Sequence, residues 1–322
     1  MILISPCLSI AEDLKSQLSF LNQCSTNGIA VGNVIRWFKK SYTHDEEIIR
    51  LSSLELGLHD DKIREKLIDK INEYIHGRIV TSINQIQKVA VSKILNKIKC
   101  DDFVLIYKSD SLVLNSLCIY LKDNPKNRFR IFVVDDFSDP EACFSYRRLK
   151  EIEETDESLT MKVYYSPISS ITHLFKNSNI KNILIGCEGI LQNGNVLAHA
   201  GTAVIATIAK QFNVPVVVFC ESYKFHEDIQ TDSIKKNAIV SWSFPSNVKN
   251  SENGTTGKNA KNAQTTSNSQ KDSDSKAIRL HKVVYDVTDS SLLSAIVTDV
   301  HSGLLPMSSI PIILNDEDKP AL

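Results

Sequence analysis

Two short apolar runs joined by an amphipathic stretch, within residues 182–232, constrain the fold more than any other segment. The first run, Ile183–Ile185, ends at a glycine, and the second covers Val216–Cys220. Residues 201–213 between them have the apolar spacing of a helix. This order predicts a β-α-β unit with two parallel strands. Open sheets of this kind place ligand or partner contacts at the carboxyl ends of their strands.

The same alternation extends across residues 101–322 and predicts one α/β domain. Further strands are predicted at 103–107, 130–134, 162–165 and 283–286. Further helices are predicted at 112–121, 140–153 and 290–300, with a short one after the third strand. Alternating strands and helices favour parallel pairing with crossover helices. We therefore expect a Rossmann-like parallel sheet with helices on both faces.

Residues 1–100 predict a helical N-terminal domain. Between Lys62 and Lys99, apolar residues recur in steps of three and four, which predicts one stripe on a long helix. The stripe comprises Ile63, Leu67, Ile71, Tyr74, Ile75, Ile79, Ile83, Ile86, Ala90, Ile94 and Ile98. Gly77 interrupts this pattern and is consistent with a bend, a close packing contact or a plain weak point, since glycine disfavours helix by about 1 kcal/mol relative to alanine.

Residues 246–277 have a different composition from the rest of the chain. They are almost entirely polar, and only Val248 and three alanines are apolar. Such a segment cannot bury enough apolar surface to offset the entropy lost on ordering. We expect a disordered insertion within the second domain, more consistent with a passive insert than with a charge switch.

Composition excludes several classes of protein. The net charge of −1 gives no basic block for nucleic acid. The seven cysteines form no CxxC or Cys/His cluster, so no metal site is expected. No apolar run approaches the ~20 residues that a membrane span needs, and the N-terminus lacks the basic region of a signal peptide. A cytosolic protein with reduced, mostly buried thiols is expected.

The predicted strand ends supply acids but no nucleophile with a neighbouring base. Glu188 is the best candidate acid, although a lone carboxylate in a loop is more often a turn or cap residue. Catalysis would need a partner group within reach. No glycine signature for nucleotide binding is present, so no cofactor and no catalytic residue is assigned. The candidate pocket residues are Lys108, Ser109, Glu188, Asn193, Gly194, Gly201, Thr202 and Asp286.

Several longer motifs carry a family resemblance. They are SFLNQC at 19–24, VGNVIRWFKK at 31–40, NEYIHGRIV at 72–80, ESYKF at 221–225 with IQTD at 229–232, and the stretch beginning VVYDVT at 283–314. Together they resemble the alpha, beta and delta regulatory subunits of translation initiation factor 2B, and the delta type in particular. That family shares its fold with the methylthioribose-phosphate and ribose-bisphosphate isomerases. The resemblance covers residues 14–314.

The resemblance also shows where this chain departs from the isomerases. Their nucleophilic cysteine corresponds to the stretch 107–111, which has no cysteine. Their aspartate corresponds to Glu188, and their arginine-proline-threonine phosphate clamp corresponds to residues 24–27. These departures imply a retained fold without the isomerase chemistry. An active isomerase with rewired residues and a vestigial phosphosugar-binding pocket remain the alternatives.

The resemblance implies a non-catalytic subunit of the guanine-nucleotide exchange factor for initiation factor two. Implied partners are the beta subunit directly, the alpha, gamma and epsilon subunits within the complex, and the alpha subunit of factor two, whose phosphorylation would be sensed. Delta subunits have a long N-terminal extension before the helical domain, and the resemblance implies that this chain begins inside that domain, either as a reduced version or with its true start upstream. The interface candidates are Tyr223, Lys224, Phe225, Val283 and Tyr285, whereas Val284 is expected in the core.

Overall fold

A computed structural model describes residues 16, 28–44, 60–99, 102–108, 111–124, 130–136, 143–155, 162–227, 229, 283–300 and 303–315. The predicted insertion at 246–277 and Ser109 lie outside these residues.

From β1 to β7 the predicted strands and helices are present in the predicted order, and the described residues contain further strands between and after them. The strands are β1 (Phe103–Tyr107), β2 (Arg130–Asp135), β3 (Lys162–Pro167), β4 (Ile180–Gly186), β5 (Gly189–Leu191), β6 (Val196–His199), β7 (Val216–Phe219), β8 (Phe225–His226), β9 (Tyr285–Thr288), β10 (Ala295–Val297) and β11 (Leu304–Leu305). The helices are α1 (Ile29–His44), α2 (Asp60–Tyr74), α3 (Thr81–Lys93), α4 (Ser111–Asp123), α5 (Phe144–Thr155), α6 (Ile171–Asn177), α7 (Thr202–Gln211) and α8 (Ile310–Asn315).

The main sheet confirms the predicted fold class. Its seven strands lie in the order β11-β10-β7-β4-β1-β2-β3, and every neighbouring pair is parallel except β10 with β11. Alternate side chains of each strand point to opposite faces. One face packs against α3, α4 and α5, and the other against α6, α7 and α8. The strands β1, β7 and β10 are apolar at every position because both faces of the sheet are covered by helices.

A second, smaller sheet interrupts the β-α-β unit predicted within residues 182–232. Its order is β8-β5-β6-β9, and β5 and β6 form an antiparallel hairpin between β4 and α7. No strand was predicted between β4 and α7. The sequence does contain a hairpin signal, because Asn193-Gly194 between apolar runs favours a tight β-turn. In the structure, Gly194 has a φ of +80°.

The end of the chain also differs from expectation. The helix predicted at 290–300 is instead a 3₁₀ turn, Ser290–Leu292, followed by β10. β10 pairs in parallel with β7, and Ile296 and Val297 are fully buried. The strand predicted at 283–286 lies at Tyr285–Thr288. Long-range pairing with β7 and β6 therefore outweighs the local apolar pattern.

The long N-terminal helix has a π-helical turn in its middle. Ile75–Val80 form this turn between α2 and α3, and a Cβ on Gly77 would meet no atom within 4 Å. Gly77 is therefore not a close packing contact. The second half of the predicted stripe, including Ile86 and Ala90, joins the core of the main sheet, and Leu67 and Tyr74 of the first half are buried as well. In the first half, Ile71 and Ile75 are exposed.

Candidate site at the carboxyl edge of the sheets

The first group of predicted site residues lies around the ends of β1 and β6. Lys108 has a φ of +53°, and its Nζ lies 2.7 Å from Asp136 Oδ2. The Asp286 carboxylate accepts hydrogen bonds from the backbone N–H of Gly201 at 2.8 Å and of Ala203 at 3.1 Å. Asp286 therefore occupies the anion-favouring N-terminus of α7. Burial raises the pKa of Asp286, and these two backbone bonds oppose the rise.

Tyr107 holds this first group together. Its hydroxyl lies 2.5 Å from the carbonyl oxygen of Ala200 and 3.1 Å from Asp136 Oδ1. A Cβ on Gly201 would collide with this hydroxyl, and Gly201 has a φ of +103°. Glycine is thus required at Gly201 by both space and backbone conformation. Burial, followed by the Asp136 carboxylate, raises the pKa of Tyr107, so the phenol stays protonated and can donate.

The second group lies around the ends of β4 and β7. Lys224 Nζ lies 2.9 Å from Glu221 Oε2 and donates to the carbonyl of Cys187 at 3.3 Å. Burial disfavours the charged form of Lys224, but the Glu221 carboxylate together with Cys187 and Cys220 raises the pKa of Lys224. Tyr223 donates to Glu221 Oε1 at 3.2 Å. Glu188 Oε1 lies 3.5 Å from the Tyr285 hydroxyl.

The remaining predicted residues have other positions. Asn193 and Gly194 form the tip of the β5–β6 hairpin, where Gly194 lies against Ser290 and Met307. Thr202 is buried and donates to the carbonyl of His199 at 2.6 Å, next to the first group. The predicted pocket therefore divides into two paired groups and a separate hairpin tip.

Three residues at this edge were not singled out by sequence reasoning: Asn33, Tyr107 and Asp299. Asp299 accepts from Ser82 Oγ at 2.6 Å and from Ser222 N and Oγ at 2.8 Å each. It thereby joins α3 to the segment that follows β7. No local pattern marks these residues, because their partners lie far away in the sequence.

The interface candidates are distributed unequally between core and surface. The expectation that Phe225 contacts a partner subunit is wrong in its geometry, because its ring is 3% exposed and belongs to the core of this chain. The expectation of a buried Val284 is wrong as well, since Val283 and Val284 are 48% and 39% exposed. Tyr285 is half-buried and stacks on His199.

Within the described residues, no group of three His, Cys, Asp or Glu side chains could hold a metal ion. The described cysteines Cys118, Cys143, Cys187 and Cys220 are free thiols, and burial raises the pKa of Cys143 to about 11. No helix in the described ranges is long and apolar enough to cross a membrane.

The fold and the site define a Rossmann-like α/β protein whose strand-end charges pair with one another. The chain belongs to the Initiation factor 2 subunit family, whose model matches residues 5–306. It is similar to translation initiation factor eIF2B subunit delta of Schizosaccharomyces pombe, at 30% identity over 95% of this chain and 58% of that protein. It is also similar to the same subunit of Dictyostelium discoideum, at 29% identity over 96% of this chain and 44% of that protein. The chain spans about half the length of these two relatives.

The chain is also similar to isomerases and to proteins of known structure. Ribose 1,5-bisphosphate isomerase of Methanocaldococcus jannaschii is 23% identical over 78% of this chain and 68% of that protein. The tetrameric eIF2B-beta2-delta2 complex from C. thermophilum has a chain that matches with a TM-score of 0.63 at 21% identity, covering 89% of this chain and 75% of that one. At this identity the structural likeness establishes the shared fold.

Proposed function

We propose that this chain is a non-catalytic, delta-type regulatory subunit of the guanine-nucleotide exchange factor for translation initiation factor two. The observation that carries the proposal is similarity to eIF2B subunit delta along 95% of the chain. In this role the chain would act in the cytosol, support GDP/GTP exchange on factor two and help to sense phosphorylation of its alpha subunit. The exchange chemistry itself would belong to other subunits.

A subunit of this kind needs a partner surface, and the carboxyl edge supplies a candidate. Val283 and Val284 are exposed next to α7, whose Val204 is 52% exposed, and the backbone N–H of Ala200 donates to the carbonyl of Val284. Phe144 at the start of α5 is 55% exposed, and the adjacent Ser145 donates to the carbonyl of Lys108. Exposed apolar side chains at one edge are typical of protein interfaces. The proposed direct partner is the beta subunit, which accompanies delta in the solved C. thermophilum complex.

The geometry supports the absence of isomerase catalysis. The stretch 107–111, which the resemblance aligns with the cysteine loop of the isomerases, begins with Tyr107 and Lys108 and has no cysteine. Tyr107 keeps its proton, and Lys108 is paired with Asp136. Nucleophilic catalysis requires a nucleophile activated by an adjacent base. The stretch 107–111 supplies no cysteine for this role.

Similarity to ribose 1,5-bisphosphate isomerase makes sugar-phosphate isomerisation the second candidate function. Incubation of the purified chain with ribose 1,5-bisphosphate and with methylthioribose 1-phosphate separates the two. Under our proposal neither substrate is converted. Turnover abolished by Lys108→Ala or Glu188→Gln would assign the enzymatic function instead.

Native mass spectrometry of the tagged chain, purified from its own cells, tests the subunit role. We expect recovery with the four other kinds of factor 2B subunit, in a complex with two copies of each. A homodimer without any of those partners would overturn the proposal. A strain lacking the chain would provide the matched control, because factor 2B complexes purified from it should lack the subunit that pairs with beta.

A further inference from the structure

Both lysines that follow strands at the carboxyl edge are neutralised from within the chain. Lys108 pairs with Asp136 at 2.7 Å, and Lys224 pairs with Glu221 at 2.9 Å. Glu221 is 5% exposed, and the side chain of Lys224 is 19% exposed, so solvent screens this second pair weakly. A phosphate ester approaching either lysine would have to displace a carboxylate that is already in place.

Two helix N-termini at this edge, those of α7 and α1, are faced by carboxylates of the same chain. Asp286 accepts hydrogen bonds from two N–H groups at the start of α7, those of Gly201 and Ala203. Glu188 extends toward the start of α1, where its Oε2 would lie 3.4 Å from a Cβ on Gly28. A helix N-terminus favours an anion, and here an internal carboxylate takes that position.

The same edge holds α1 by specific contacts. The side-chain amide of Asn33, which is 4% exposed, donates to the carbonyls of Tyr223 and Phe225 at 2.8 Å each. Ile29 is 3% exposed and packs with Leu191 and Leu197 of the small sheet. A Cβ on Gly189 would collide with Ile29, so the strand and the helix are in direct contact.

We propose that the carboxyl edge is an internal socket for α1, in which the Glu221–Lys224 pair and Glu188 hold the positions that a phosphate ester would need. The segment 221–225 then has two roles. Its ion pair closes the edge to anions, and its carbonyls bind Asn33, so that α1 and the sheet move as one unit. The proposal is independent of the subunit role, because its readouts belong to the chain itself.

Hydrogen exchange on the full-length chain, purified with its accompanying subunits, tests the socket. In the unaltered protein, α1 and residues 222–226 should open together. The amides of the two segments should therefore show equal protection from hydrogen exchange. Asn33→Asp places a carboxylate against two carbonyls and should reduce α1 protection about tenfold or more. Asn177→Ala is the matched control, because Asn177 bonds only within α6 and is exposed. Unequal protection of the two segments, or an unchanged α1 in Asn33→Asp, would overturn the socket.

Titration with inorganic phosphate and with ribose 5-phosphate tests the closure to anions. We expect no shift in melting temperature for the unaltered protein at millimolar ligand. Glu188→Gln, which removes the half-buried charge near α1, should raise phosphate affinity about tenfold, the usual size of one charge-assisted hydrogen bond. Saturable binding of either ligand by the unaltered protein, lost in Lys224→Met, would overturn the closure. Unchanged subunit composition in that variant would leave the subunit role standing.

Discussion

At the scale of single residues, burial separates contacts that hold this chain together from contacts available to a partner. Phe225 follows the motif ESYK and was expected at an interface, yet its ring lies in the core with Ile190 and Val218. Phe144 has the opposite position and is 55% exposed. Two phenylalanines near the same edge therefore predict different experimental outcomes.

We expect Phe225→Ala to lower the free energy of unfolding by about 3–5 kcal/mol, the usual cost of emptying a buried phenylalanine site. Phe144→Ala should change it by less than about 0.5 kcal/mol, because the ring is largely in solvent. Denaturant unfolding of the two variants measures the difference. Equal stabilities would contradict the core position of Phe225.

Asp286 gives a pH prediction at the same scale. Its pKa is raised in the folded chain, so the folded state binds its proton more tightly than the unfolded state does. Its contribution to stability is therefore full below the usual aspartate pKa of about 4 and is lost as the pH rises through the raised value.

Asp286→Asn removes this titration while keeping an oxygen to accept the α7 backbone bonds. The variant should lose less stability than the unaltered chain as the pH rises from about 4 to 6. Unfolding curves across that range make the comparison, with Asp123→Asn on the surface end of α4 as control. Parallel pH profiles for the Asp286→Asn and unaltered chains would refute the assignment.

At the scale of elements, two glycines illustrate how packing decides the outcome of one substitution. Gly77 lies in the π-helical turn with open space around its Cα, whereas Gly189 in β5 lies against Ile29 of α1 and the carbonyl of Lys224. Both are glycines in regular structure, and only the tertiary contacts distinguish them.

Gly77→Ala should leave the unfolding free energy unchanged or raise it by up to about 1 kcal/mol, since alanine favours helix and meets no neighbour. Gly189→Ala should lower it by about 1–3 kcal/mol, because the new methyl group overpacks the contact between β5 and α1. Thermal melts of both variants check the signs. A destabilised Gly77→Ala would mean that the π-helical turn itself is required.

At the scale of the whole molecule, the two faces of the main sheet give a test of where a partner subunit binds. Val204 and Val283 lie beside the small sheet, while Ile119 on α4 is 39% exposed and lies across the opposite face. All three positions tolerate a charge in the isolated chain because they are exposed.

Val204→Asp combined with Val283→Asp should weaken association with the beta subunit at least about tenfold, since each buried valine at an interface is worth about 1.5 kcal/mol or more. Ile119→Asp should leave association unchanged. Pull-down at dilute concentration, with melting temperature as the control for folding, measures both. Normal assembly of the double variant would show that the interface does not include Val204 and Val283.

Local sequence predicted the elements that depend on local signals. β1 and β7 are short, fully apolar strands, and β2 and β4 each contain a short apolar run; their alternation with helices sufficed for a parallel α/β sheet. Lys108, Gly201 and Asp286, which sequence places at strand ends, do lie together at the carboxyl edge, and their role as a pocket stays a prediction. The pairing of Lys224 with Glu221 was not predicted, although the two residues are three apart.

Sequence alone thus determined the fold class and the alternation of strands and helices, because both follow from the spacing of apolar residues. It also determined the family, because contiguous motifs identify it. Tertiary structure decided that residues 295–297 form a strand, that Phe225 is core and that α1 is held by Asn33. The physical reason is distance along the chain. Asn33 and its acceptor on Phe225 are separated by 192 positions, and no local propensity encodes a contact that only the folded sheets create.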